Sequence, residues 1–145
     1  MARSIFGTKT MTGAAIAATA VIAFLPQAAL AHDCEDEHVA EIVRLTNEKR
    51  EEQGLAHVDC DDELVRGSQE WAEHMREAHD LEHGDGAFSE NIAWYGGEAQ
   101  PDELVDGWMK SAAHRGNMLD SEASAMGVGW SHSEEDGTYA VQRFS

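Results

Sequence analysis

Histidine, glutamate, serine and cysteine are the side chains of this chain with chemistry to offer, and their spacing separates what each can do. Cys34 and Cys60 are its only cysteines. A metal-binding cysteine pair stands much closer in sequence. In an exported chain two such residues pair with each other, and closing the loop between them would stabilise the fold by roughly 3 kcal/mol. Ser111 and His114 stand at i and i+3, so on a helix they would share one turn, as a nucleophile and its base must, with Glu90 available to orient the imidazole. No nucleophile elbow or zinc-protease helix accompanies them. Ser111 reads more simply as a cap or support for the turn that carries His114. His83, Glu90 and His114 are separated by 7 and 24 residues. Imidazole and carboxylate are acceptable zinc ligands, yet those spacings match no standard metal motif. Residue types alone therefore leave a metal-competent site and a hydrogen-bonded polar cleft both open. His38, His57, His74, His79 and His132 read as solvated surface residues. His32 would pair an amine with its imidazole if it became an N-terminus, a copper-chelating arrangement that reads as chance.

The start of the chain bears on where this chemistry operates. Arg3 and Lys9 precede an apolar stretch, Ala14 to Leu25, interrupted only by Thr19, and Ala29-Leu30-Ala31 supplies a small-x-small cleavage pattern. The stretch falls short of the roughly 20 residues of a comfortable membrane span. Residues 1–31 are therefore expected to be a signal peptide, with 32–145 a single secreted domain that has no transmembrane segment after cleavage. All 28 acidic residues and eight of the ten basic ones fall in 32–145, so that part carries a net charge of −20 with histidine neutral. Such a surface repels phosphates and argues against nucleic acid as a partner. The acidity suits a salty habitat as well as simple solubility outside the cell.

The elements that must position these residues follow from periodicity. Val39, Ile42, Val43 and Thr46 recur at helical spacing, which predicts a helix over 33–53 stopped by Gly54. A second helix is predicted over 62–78, capped by Asp61, with Leu64, Val65, Ser68, Trp71, Ala72 and Met75 facing inward. The glycine-bearing loop 83–86 leads to an extended run over 88–95, ended by Gly96 and Gly97. Pro101 suits the first turn of a third helix, which carries Leu104, Val105, Trp108 and Met109 on one side. A short helical turn follows over 112–119. Two strands, 125–132 and 138–144, are joined by a turn at Asp136-Gly137. Helices first and strands late give an α+β class. Trp71, Trp94 and Trp108 are expected in the core.

Five ordered blocks carry a resemblance. Leu45-Thr46-Asn47-Glu48-Lys49-Arg50 and Gln53-Gly54-Leu55 resemble the first helix of bacterial CAP domains, the cysteine-rich secretory, antigen-five and pathogenesis-related superfamily. Gln69-Glu70-Trp71-Ala72-Glu73-His74-Met75 is similar to its second helix. The stretch from His83 to Trp94 resembles plant pathogenesis-related members, in which a histidine also precedes the glutamate of the Glu-Asn-hydrophobic-Ala signature by seven residues. The run from Trp108 to Leu119 is similar to the bacterial Trp-Met-x-Ser-x-x-His-Arg-x-Asn block. Gly127-Val128-Gly129 and Tyr139 to Phe144 resemble the closing hairpin. Ser89 departs from the usual glycine, and Ser111 stands where eukaryotic relatives place a second cavity glutamate.

The resemblance implies a three-layer α-β-α sandwich of the CAP (SCP) type. It also implies a cleft where His83, Glu90 and His114 converge, with zinc or another divalent cation held through the two histidines. Whether Glu90 binds metal directly or orients a water or an imidazole stays open. Asn91, Ser111 and Arg115 would support the cleft: Asn91 by bonding backbone beside the strand, Arg115 by pairing with a carboxylate. The function so implied is a non-enzymatic extracellular binding module for a metal and a lipid or peptide ligand. A metal-dependent secreted hydrolase and an acidic cell-envelope interaction protein are the alternatives. The exported protein is expected to begin at His32 with its two cysteines joined. Intact mass spectrometry of the secreted material tests this, and a chain that keeps residues 14–25 would mean an anchor instead.

Overall fold

A computed structural model describes residues 32–145, and the expected signal peptide lies outside them. The first helix, α1, spans Glu37–Glu52, later than its periodicity suggested. The Asp36 carboxylate accepts from the backbone N–H groups of His38 and Val39, and that cap fixes the start by satisfying donors the helix itself leaves orphaned. Gly54, at φ +70, ends it. β1 (Asp59–Cys60) is too short for any periodicity to announce. Helix α2 (Asp62–Ala78) has Asp61 as its cap, as read from the sequence, and closes on His79 in the left-handed region. Then come β2 (Ser89–Tyr95), α3 (Pro101–Lys110), α4 (Ala112–Met118), β3 (Ala125–Ser133) and β4 (Gly137–Phe144). Cys34 and Cys60 are joined in a disulfide that ties the segment before α1 to β1. Among the described residues no helix is long and apolar enough to cross a membrane.

The four strands lie in the order β1-β3-β4-β2, with β1 parallel to β3 and the other pairs antiparallel. All eight residues of β4 are buried, as a central strand covered on both faces requires. Alternation along the strands sends each side chain to one of two layers. On one face Ile92, Tyr139 and Val141 pack with Ala72 and Met75 of α2. On the other, Met126, Val128, Ala140 and Phe144 meet Val39 and Ile42 of α1, Leu104, Val105 and Trp108 of α3, and Met118 of α4. The result is the expected α-β-α sandwich.

Two features hold the layers in place. On the α2 face, β3 presents Gly127 and Gly129. A Cβ built on Gly127 would fall 2.2 Å from the backbone of Leu64, and one on Gly129 would fall 2.2 Å from the backbone of Ser68 and Gln69. Helix and strand thus touch main chain to main chain. On the other side, the Arg50 guanidinium is buried at 1% exposure. It donates to the carbonyls of Ala56 at 2.8 Å, of Met118 and Asp120 at 2.8 Å each, and of Ala123 at 3.4 Å. One side chain so fastens the end of α1, the end of α4 and the approach to β3.

Trp108 is buried and Trp71 half-buried, but Trp94 is 52% exposed, against the core placement read from its pattern. It lies near the end of edge strand β2, past the cluster that covers Ile92, and its indole N–H donates to Asp136 O at 2.9 Å. His38 and His132 are also not simply solvated. His38 stacks on Trp130 with ring centroids 4.2 Å apart, and His132 Nδ1 lies 3.1 Å from Thr138 Oγ1. Gly129→Ala is expected to lower unfolding free energy by about 3 kcal/mol, because the new methyl meets backbone that cannot yield without moving α2. Urea denaturation measures this, and a loss below about 1 kcal/mol would show that α2 is not seated as described.

Candidate functional site

The site is built around the first residues of β2. Glu90 points to the α2 face and Asn91 to the other, so one dipeptide reaches both layers. Directly across the strand pair from Glu90 stands Arg143 of β4. The Glu90 side chain is only 4% exposed, and its burial is compensated by three donors. Arg143 Nε donates to Oε2 at 2.8 Å. The Gly84 N–H donates to Oε1 at 2.9 Å. His83 Nδ1 lies 2.9 Å from the same oxygen. A carboxylate accepts and does not donate, so His83 donates from Nδ1 in that contact and its Nε2 points away from Glu90. The His83 side chain is itself 60% exposed.

Asn91 organises the opposite side. Its Nδ2 donates to the carbonyl of His114 and to Gln142 Oε1, both at 3.0 Å, while its Oδ1 accepts from Asn117 Nδ2 at 2.9 Å. Gln142 Nε2 in turn donates to Thr46 Oγ1 at 2.9 Å. A buried polar chain therefore runs from α1 across β4 and β2 to α4, each member satisfied by the next. Asn117 also donates to Glu90 O at 3.2 Å, and Trp108 Nε1 to Ile92 O at 3.3 Å. Asn91 thus bonds backbone, as read, and in doing so fixes the residue that bears the second imidazole.

Ser111 joins α3 to α4 through its backbone. Its N–H donates to Trp108 O at 3.2 Å and its carbonyl accepts from Arg115 at 2.8 Å, while its hydroxyl makes no capping bond. Arg115 is exposed and donates to Met109 O at 3.0 Å. Among the described residues it forms no ion pair with a carboxylate, contrary to expectation, because its guanidinium folds back on the end of α3. His114 is half-buried. Burial, and next the neighbouring His83, push its pKa below the ordinary histidine value. No group of three or more His, Cys, Asp or Glu side chains is gathered as a ready metal cage among the described residues. A cavity of about 470 Å³ opens beside His83 and Arg143. Another of similar size lies away from this chemistry, between α1 and the start of α3.

The model of the cysteine-rich secretory protein family matches residues 43–144. The chain belongs to this family. Bacillus subtilis YkwD is 28% identical over 120 residues, covering 71% of this chain, and the chain spans 45% of that relative's length. Among solved structures, an outer surface protein of Borrelia burgdorferi superposes with a TM-score of 0.66 at 17% identity, covering 79% of this chain and 97% of its own. An extracellular protein of Bacillus anthracis containing an SCP domain does so with a TM-score of 0.59 at 23% identity, over 74% and 39% of the two chains. At these identities the structural likeness establishes the family's fold. The roles of individual residues rest on the geometry above.

Arg143 as the partner of Glu90 was missed from the sequence. The signal was present: an arginine inside an otherwise buried strand needs an acceptor, but only the strand register reveals which one. His114 is expected to titrate below the exposed histidines by NMR. Folding disfavours its proton, so stability linked to the neutral ring is present above the ordinary value of 6.5 and lost as pH falls through the lowered folded value. In His83→Ala the midpoint is expected to move upward. An unmoved midpoint would mean that the two rings do not interact.

Proposed function

We propose that this protein is an exported, non-enzymatic binding module whose cleft accepts a divalent metal, zinc the foremost candidate, through His83 and His114. The observation that carries this reading is the state of Glu90. Both of its oxygens are engaged by Arg143, Gly84 and His83, so it serves as the orienting carboxylate behind a metal-ligating imidazole, the usual outer-shell arrangement. His83 Nε2 and the His114 ring fit zinc by donor chemistry, since imidazole nitrogen is an ordinary zinc ligand. Bound zinc supplies Lewis acidity and lowers the pKa of a coordinated water.

The same geometry disfavours the hydrolase alternative. A general base must reach the nucleophilic water, and both oxygens of this carboxylate are already engaged by protein groups. Ser111, engaged through its backbone between two helices, likewise lacks the oriented base of a serine nucleophile. A lipid or peptide is the class of further ligand that fits an extracellular module of this family. An acidic cell-envelope protein acting by its surface alone would need neither histidine. Export itself is supported by the leader-like N-terminus, the disulfide and the extracellular relative from Bacillus anthracis.

Calorimetric titration of residues 32–145 with zinc near pH 7 tests the site. Binding in the micromolar range or tighter is expected, abolished in the His83→Ala, His114→Ala double variant. Glu90→Gln should weaken it about 10- to 100-fold without removing it. Zinc binding that survives the double variant, or its absence in the intact domain, rejects the reading.

A further inference from the structure

Glu90 uses only one of the donors of Arg143. A guanidinium carries five N–H donors, and Nε is spent on Glu90. Among the described residues no protein atom accepts from Nη1 or Nη2, although the side chain is only 9% exposed. The two terminal nitrogens of an otherwise buried side chain are thus left without protein acceptors, free to bind what enters beside them. They face the 470 Å³ cavity, of which Arg143 forms part of the wall.

Two glycines hold this fork open. A Cβ on Gly67 would lie 3.2 Å from Nη1, and one on Gly84 would lie 2.5 Å from Nη2. Phe88 fixes the orientation of the guanidinium, its ring centroid 4.1 Å away, so the fork is preorganised and little rotamer entropy remains to be lost on binding. A planar cation with two parallel donors matches a carboxylate.

The other walls add a second requirement. Glu70, Glu82 and Asp85 line the same cavity, with Trp71 as an aromatic wall. On a domain of net charge −20, these carboxylates repel a plain anion and attract an ammonium group. A ligand that satisfies both parts carries one carboxylate and one amine.

We propose that the cavity beside His83 is a seat for a small zwitterion of the amino-acid class, its carboxylate on Arg143 Nη1 and Nη2 and its ammonium toward Glu70, Glu82 and Asp85. The proposal rests on the reading of the cleft as a binding site but requires no metal. Free amino acids and short peptides share this chemistry and differ in the separation of their charges.

The test is NMR titration of isotopically labelled residues 32–145 with a chelator present. The probes are alanine, trialanine, acetate, methylammonium and inorganic phosphate, and the reporters are the Arg143 Nε–H and the Gly84 amide. Alanine or trialanine should bind saturably and at least about tenfold more tightly than the three singly functional probes. The tighter of the two identifies the source as free amino acid or peptide. Gly67→Asp places a carboxylate beside Nη1 and should remove the binding while circular dichroism and zinc affinity stay unchanged. Arg143→Lys keeps a charge for Glu90 but loses the fork, and should weaken zwitterion binding about tenfold or more. Phosphate or acetate matching the zwitterions would overturn the assigned class. No saturable shift, or equal binding by Gly67→Asp, would overturn the seat itself. Zinc binding is read separately, so failure here is distinguishable from failure of the metal site.

Discussion

Helix α2 rests on the sheet main chain to main chain, and the arrangement of the cleft depends on that contact. Where β3 offers only Gly127 and Gly129 to the helix, the helix sinks toward the sheet along that strand. The larger side chains of β4 and β2 then fill the space beside it, as close packing demands. Val141 and Ile92 do so with hydrocarbon. Two positions along the ladder, on the same face, Arg143 and Glu90 do so with a paired charge. The chain leaving α2 passes over that pair, which puts His83 and Gly84 within reach of the Glu90 carboxylate. A helix standing further from β3 would leave Glu90 in a wider, wetter space, with less reason for its donors to converge.

The second imidazole is positioned by a different route. His114 belongs to the layer beyond the sheet, and its position is inherited from Asn91, whose amide grips the His114 carbonyl. Asn91 is in turn held by Gln142 and Asn117. Adjacent residues of one strand thus set the two histidines from opposite faces: Glu90 through a side-chain contact, Asn91 through backbone. Such a chain of buried amides is stable only when every member is satisfied, so a loss at any link would be felt at His114 although no link touches the ring.

Much of this was legible in the residues. The periodic runs of α2 and α3, the Asp61 cap, the Asp136-Gly137 turn and the pairing of Cys34 with Cys60 all follow from local chemistry. What escaped was set by long-range register or by competition at an element's end. Asp36 outcompeted the apolar period for the start of α1. β1 is two residues long and exists because β3 lies beside it. Trp94 alternates correctly with Ile92, yet period two says which face a residue takes and not whether that face is covered. At the site, the histidine and carboxylate types were visible from the start, but the saturation of Glu90 was not. It depends on Arg143, far away in sequence and adjacent only once β4 is paired with β2.

Strand β2 lies at the edge of the sheet, and an outermost strand ordinarily offers a row of unpaired carbonyls and amides to any passing chain. Here two of those carbonyls, on Glu90 and Ile92, are already occupied by Asn117 and by the Trp108 indole. The side chains that position the cleft thereby also deny the border to templated growth. Combined with mutual repulsion between strongly acidic copies, this favours a protein that stays dispersed where it is crowded, and it makes solubility and site geometry properties of the same few residues.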